Sequence, residues 1–139
     1  GLENERALAI NPKMAGAHAA IGLTQFRLGQ LDKARASYNR EPFSLFRHTG
    51  LSIIDHQRGD KSAADKALAT ILAEYGDNAL YQKAQILAQR GNAQDAIEAL
   101  ERGHEIGDAG LLLMRNDPFL DPLRSDPRFI RLLKQLGFD

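Results

Sequence analysis

Three stretches of this chain, RLGQLDKA (27–34), QRGDKSAA (57–64) and QRGNAQDA (89–96), share one plan, and reading them decides the fold. In each, a helix-like segment runs into Gly, a short polar turn follows, and a second helical pattern begins with Ala five residues after the Gly. The glycines, Gly29, Gly59 and Gly91, recur at intervals of 30 and 32 residues, and Ala34, Ala64 and Ala96 keep the same spacing. Glycine just past a helix end suits the left-handed backbone, because without a Cβ there is no steric penalty. A helix–turn–helix unit repeating every 30 to 34 residues predicts an all-α fold, an α-α superhelix of antiparallel helix pairs.

Outward from these turns, Ala17, Ala20, Ile21 and Leu28 fall at helical spacing before the first glycine, and Leu31, Ala34 and Tyr38 share a face after it. Ala64 with Leu68, and Ala96 with Leu100, repeat the second pattern. Small residues at Ala20 and Gly22 allow a neighbouring helix to approach closely. Such a pair has an apolar stripe that it buries only by stacking on its neighbours. The expected division of a single domain 1–139 is the end of a preceding repeat (1–14), repeats at 15–42, 43–76 and 77–108, and a C-terminal cap (109–139).

The cap is read from NDPFLDPLRSDPRF (116–129), which places Asp-Pro at 117–118, 121–122 and 126–127. Asp accepts hydrogen bonds from the free N–H groups of a helix's first turn, and Pro at the next position has no N–H to leave unpaired. Asp126-Pro127 therefore starts a last helix that Gly137 stops, with Phe129, Leu132, Leu133 and Leu136 on its buried face. The two earlier dipeptides are expected to start short turns that carry Phe119, Leu120 and Leu123 onto the last repeat. A calcium loop is the rival use of Asp117, Asp121 and Asp126, but the alternating ligands, central Gly and distal Glu of such a loop are missing.

Composition narrows the function. With 18 basic and 18 acidic residues the formal charge is zero, so no surplus of positive charge marks a nucleic-acid or anionic-membrane surface. The longest apolar run, GLLLM (110–114), is far short of the roughly 20 residues of a membrane span. Without cysteine, disulfides and thiolate metal sites are excluded. The chain opens GLENERALAINPK without Met, which reads as a piece of a longer protein, with Gly1 a remnant of a cleaved tag. The compartment stays open, with the cytoplasm favoured.

At these residues the chain resembles the tetratricopeptide repeat family. His18, Ile21-Gly22, Gly29, Ala34 and Tyr38 follow the family pattern, and RALAINP (6–12) looks like the close of a preceding repeat. Ser52 and Ala84 stand where Gly22 stands, there is no Trp, and the repeats are two to four residues short, with the first truncated near NREPF (39–43). Residues 41–138 are more narrowly similar to the C-terminal repeats that follow a cyclase, winged-helix or kinase domain in bacterial signalling proteins. The resemblance implies a concave groove lined by the first helix of each pair.

Phe26 and Arg27, then Phe46 and Ile53, then Tyr81 and Gln85 are the residues expected to touch a peptide or helix in that groove. An apolar strip with a polar rim suits such a ligand. Chaperone-tail binding is not expected, since Ala19 and Leu23 stand where that subfamily carries Lys and Asn donors. No catalytic or metal constellation emerges: His48 and His56 are eight apart, no His-x-x-x-His occurs, and GLSIID is no nucleophile elbow. The expectation is a non-enzymatic protein-interaction scaffold without cofactor, nucleic acid or membrane contact. Its partner is a protein or peptide, including another domain of its own parent chain. The alternative is an intramolecular regulatory or homodimerising domain of a signalling enzyme or transcription regulator.

Overall fold

The structure, a computed structural model, describes residues 15–138. The expected repeat end at 1–14, with Pro12, lies outside them. The described residues are helical throughout, with turns and no strand. In chain order they form α1 (Ala17–Arg27), α2 (Leu31–Asn39), α3 (Ser44–Gln57), α4 (Lys61–Tyr75), α5 (Leu80–Gln89), α6 (Ala93–Ile106) and α7 (Pro127–Gln135). Short 3-10 helices occupy Gly76–Ala79, Ala109–Asn116 and Pro118–Leu123. Two compact units divide the chain, one ending at Ile71 and one beginning at Leu72.

All three glycine turns are built with the same bonds. Gly29, Gly59 and Gly91 have φ of 77°, 87° and 82°. Each donates its N–H to the carbonyl three residues back (Phe26, His56, Ala88; 3.0–3.1 Å), and the next residue donates five back (Gln25, Asp55, Leu87; 2.8–2.9 Å). These paired bonds satisfy carbonyls that the ended helix leaves open. The residue after Gly then accepts from the alanine that stands fourth in the next helix: Ala34 N–H to Gln30, Ala64 to Asp60, Ala96 to Asn92. The turn predicted from one glycine is thus a complete hydrogen-bonded cassette, made three times.

Small buried residues recur on both sides of each cassette. Ala34, Ala64 and Ala96 are fully buried, and the residues twelve earlier, Gly22, Ser52 and Ala84, are buried too. Ser52 replaces glycine without leaving a buried hydroxyl unpaired, because its Oγ donates to the Ala64 carbonyl at 2.8 Å. A larger side chain has no room here. Ala64→Leu and Ala96→Leu should each lower stability by about 1–3 kcal/mol, measured as urea midpoints; two unchanged midpoints would show that the helices do not cross at these alanines.

In the first unit the Tyr38 ring from α2 is 3% exposed and lies between two glycines. A Cβ at Gly22 of α1 would come within 2.6 Å of it, and one at Gly50 of α3 within 2.0 Å. A Cβ at Gly16, just before α1, would meet Phe46 of α3 at 3.5 Å. The pairs 16–46 and 22–50 rise together, so α1 and α3 run side by side in the same direction. Ile21 and Leu28 depart from the expected buried stripe, at 51% and 68% exposed. They lie about 100–120° round α1 from Gly22, the side that meets Tyr38.

The second unit has one apolar core, in which α5, α6 and the C-terminal segment share Leu80, Tyr81, Ile97, Leu100, Leu111, Met114, Leu120, Leu123 and Phe129. The last helix starts as expected: Asp126 accepts from the Arg128 N–H at 2.9 Å, Pro127 follows, and Phe129 and Leu132 are buried. The Arg128 guanidinium beside it holds the Asp126 carboxyl below its usual value. Asp117 likewise caps Pro118–Leu123 by accepting from the Phe119 N–H. The middle dipeptide differs from expectation. Pro122 lies inside that same short helix, and the Asp121 carboxylate starts no turn but pairs with Arg124 at 2.7 Å.

Candidate functional site

The first unit carries four of the six expected contact residues. Phe26 is half-buried and Arg27 exposed near the end of α1. Phe46 is half-buried at the start of α3, its ring meeting Phe43 edge-on with centroids 4.6 Å apart. Ile53, about two turns further along, is 1% exposed and belongs to the core, so its side chain offers no face to a ligand. What remains accessible is the strip from Phe46 beside Gly16 to Phe26 and Arg27, with His56 half-buried and Gln57 exposed on the neighbouring helix.

A residue missed by sequence reading holds that strip in place. Glu41, in the stretch read as a truncation, is 1% exposed. Its Oε1 accepts from the N–H groups of Gly16 (2.9 Å) and Ala19 (3.1 Å), and its Oε2 from that of Phe43 (2.9 Å). A side chain from after α2 therefore caps the start of α1 and ties it to the approach of α3. Arg47 answers on the backbone side, donating to the Glu41 carbonyl at 2.8 Å. The available signal was the acid itself, an isolated carboxylate before Pro between two helical patterns. Glu41→Ala leaves three backbone donors without their acceptor and should cost about 3 kcal/mol, measured by denaturant unfolding. Glu41→Asp, one methylene short, should lose most of that too.

In the second unit, Tyr81 and Gln85 are brought together, but on the protein's own chain. Tyr81 is 1% exposed. Its hydroxyl and the Gln85 amide (2.7 Å) both donate to Asp117 Oδ2, while Asp117 Oδ1 accepts from the Phe119 N–H at 2.9 Å. One turn on, the Gln89 amide donates to the Phe119 carbonyl at 2.9 Å. Asp108 secures the other end, accepting from Tyr81 N–H at 3.2 Å and Gly110 N–H at 2.8 Å. Burial first, and then the Asp117 carboxylate beside it, push the Tyr81 phenol far above its usual range. It stays a hydrogen-bond donor at every working pH. The expected ligand face of α5 is therefore occupied by residues 108–119.

No family model matches the chain, no curated protein matches it, and no solved structure matches it. Function therefore has to be argued from the side chains themselves. Among the described residues no three His, Asp or Glu converge as a metal site, and no helix is long and apolar enough to cross a membrane. His48 spends its Nδ1 within its own helix, on the Ser44 carbonyl (3.0 Å) and hydroxyl (3.1 Å). Buried Asp55 is engaged by Arg35 at 2.8 Å and Arg58 at 3.5 Å, which ties α2 to the end of α3.

Proposed function

We propose that the chain is a non-enzymatic protein-interaction module of the tetratricopeptide type, with its helix pairs stacked as a solenoid. The observation that carries this reading is the threefold cassette, with the same turn bonds and the same pair of small buried positions each time. Repeated units of this kind present surfaces rather than chemistry. The contact surface is the α1–α3 strip of Phe26, Arg27 and Phe46. Tyr81, Gln85 and Ile53 leave the contact set, since their side chains are engaged inside the protein. The partner is a peptide or helix that lies along the strip and places apolar side chains against Phe46 at one end and Phe26 at the other.

The test is a pull-down from cells of the source with the purified chain, beside a Phe46→Ser/Arg27→Glu variant whose melting curve matches. A protein retained by the first and lost by the second supports the reading. Equal retention by both removes the strip from the interface. A second reading, a regulatory or dimerising domain within a signalling protein, is favoured by Leu112 and Leu113. These leucines are 72% and 63% exposed on the 3-10 helix of the second unit, apolar area that a solvated surface gains nothing by displaying. Sedimentation of the chain and of Leu112→Ser/Leu113→Ser separates the two readings: a dimer lost in the variant supports self-association.

A further inference from the structure

The polar face of α5 has the chemistry of a site that reads a peptide. Tyr81, Gln85 and Gln89 stand at i, i+4 and i+8, a single stripe on the helix. All three reach the same three-residue stretch, two to the Asp117 carboxylate and one to the Phe119 carbonyl. That stretch is in turn shaped to be read, because Asp117 folds back onto the Phe119 N–H and Pro118 fixes the backbone between them. We infer that this face is a recognition surface whose ligand is the chain's own Asp117-Pro118-Phe119, held permanently and not exchanged for a partner.

Permanence follows from what lies behind the polar contacts. Leu111, Met114, Phe119, Leu120 and Leu123 are each no more than 4% exposed, and all five belong to the segment that carries the ligand stretch. At Gly110 the backbone is so close to α5 that a Cβ would sit 2.6 Å from the Tyr81 ring. Arg124 bundles the segment from outside, donating to the carbonyls of Asp117 (2.7 Å) and Arg115 (2.9 Å). A competitor offering only a carboxylate and a carbonyl would replace three hydrogen bonds while leaving five apolar side chains without their core. The surface is thus closed to foreign peptides for as long as the second unit is folded.

Amide hydrogen exchange on the intact chain tests this. The Phe119 N–H should exchange within about tenfold of the slowest α6 amides, such as that of Leu100, because the stretch opens only when the unit unfolds. Exchange faster than these by about a hundredfold or more would mean a segment that detaches by itself, and would overturn the inference. A synthetic peptide of residues 114–123, titrated into the intact chain, should leave the Gln85 and Gln89 side-chain amide NMR signals in place. Saturable movement of those signals would equally overturn it. Neither readout involves α1–α3, so failure of the interaction reading and failure of this one are seen separately.

Discussion

Gly50→Ala lowers the stability of the first unit by about 3 kcal/mol, an expected result with the opposite sign to the usual one. Alanine in place of glycine in a helix interior ordinarily gains about 0.5–1 kcal/mol from backbone entropy. Here the added methyl would stand 2.0 Å from Tyr38 Cδ1, 2.2 Å from Cγ and 2.3 Å from Cε1. The ring cannot retreat, because its other face is already against Gly22, where a Cβ would find it at 2.6 Å. The clash must then be relieved by moving α3. Urea unfolding of Gly50→Ala measures the loss, and a Tyr38→Val partner tests the cause. The double variant should be more stable than the sum of the two single losses predicts by about 1 kcal/mol or more, as expected for residues in direct contact. Simple additivity would place the loss elsewhere.

Asp117→Ala has the largest expected effect in the second unit, about 4 kcal/mol. The substitution strands three donors, the Tyr81 hydroxyl, the Gln85 amide and the Phe119 N–H, in a place where Asp117 itself is only 8% exposed. Unsatisfied buried donors are costly because water does not replace the lost acceptor. Asp117→Asn keeps the volume and one acceptor oxygen, so it should lose about half as much. Tyr81→Phe, which removes a donor and leaves the carboxylate with its other partners, should cost less again. Differential scanning calorimetry of the three variants gives the ranking; an Asn variant no better than Ala would mean that charge, not acceptor count, holds the segment.

The turns were legible because their determinants are local. A glycine with positive φ, a polar residue after it and an alanine five on lie within a few residues of one another, and the bonds they make span three to five residues. Capping at Asp117 and Asp126 was legible for the same reason. The faces of α3 and α5 were a different matter. The family resemblance put Ile53 of α3, and Tyr81 and Gln85 of α5, on ligand-facing sides, but what covers those sides is set by contacts far along the chain. Asp117 is 36 residues from Tyr81, and Glu41 is 25 from Gly16. A carboxylate that looks like a solvated loop acid becomes an interior acceptor only once a distant helix start or a distant phenol reaches it. Phe26 and Phe46 are half-buried and Arg27 is exposed.

The same difference in reach sets an order of assembly. The hydrogen bond across the second turn joins residues twelve apart, Ser52 and Ala64, so closing such a helix pair costs little chain entropy and is fast. Docking Asp117 onto Tyr81 closes a span three times as long and needs α5 and α6 already in place to receive it. Asp117 therefore docks after the rate-limiting step of folding, within one cooperative transition, and its segment does not open ahead of the rest of its unit. Its variants should leave the refolding rate nearly untouched and surrender their stability through faster unfolding, whereas Ala96→Leu should slow refolding itself. A protein assembled in this sequence carries its lifetime in the seal made by residues 108–119 and its speed of formation in its turns.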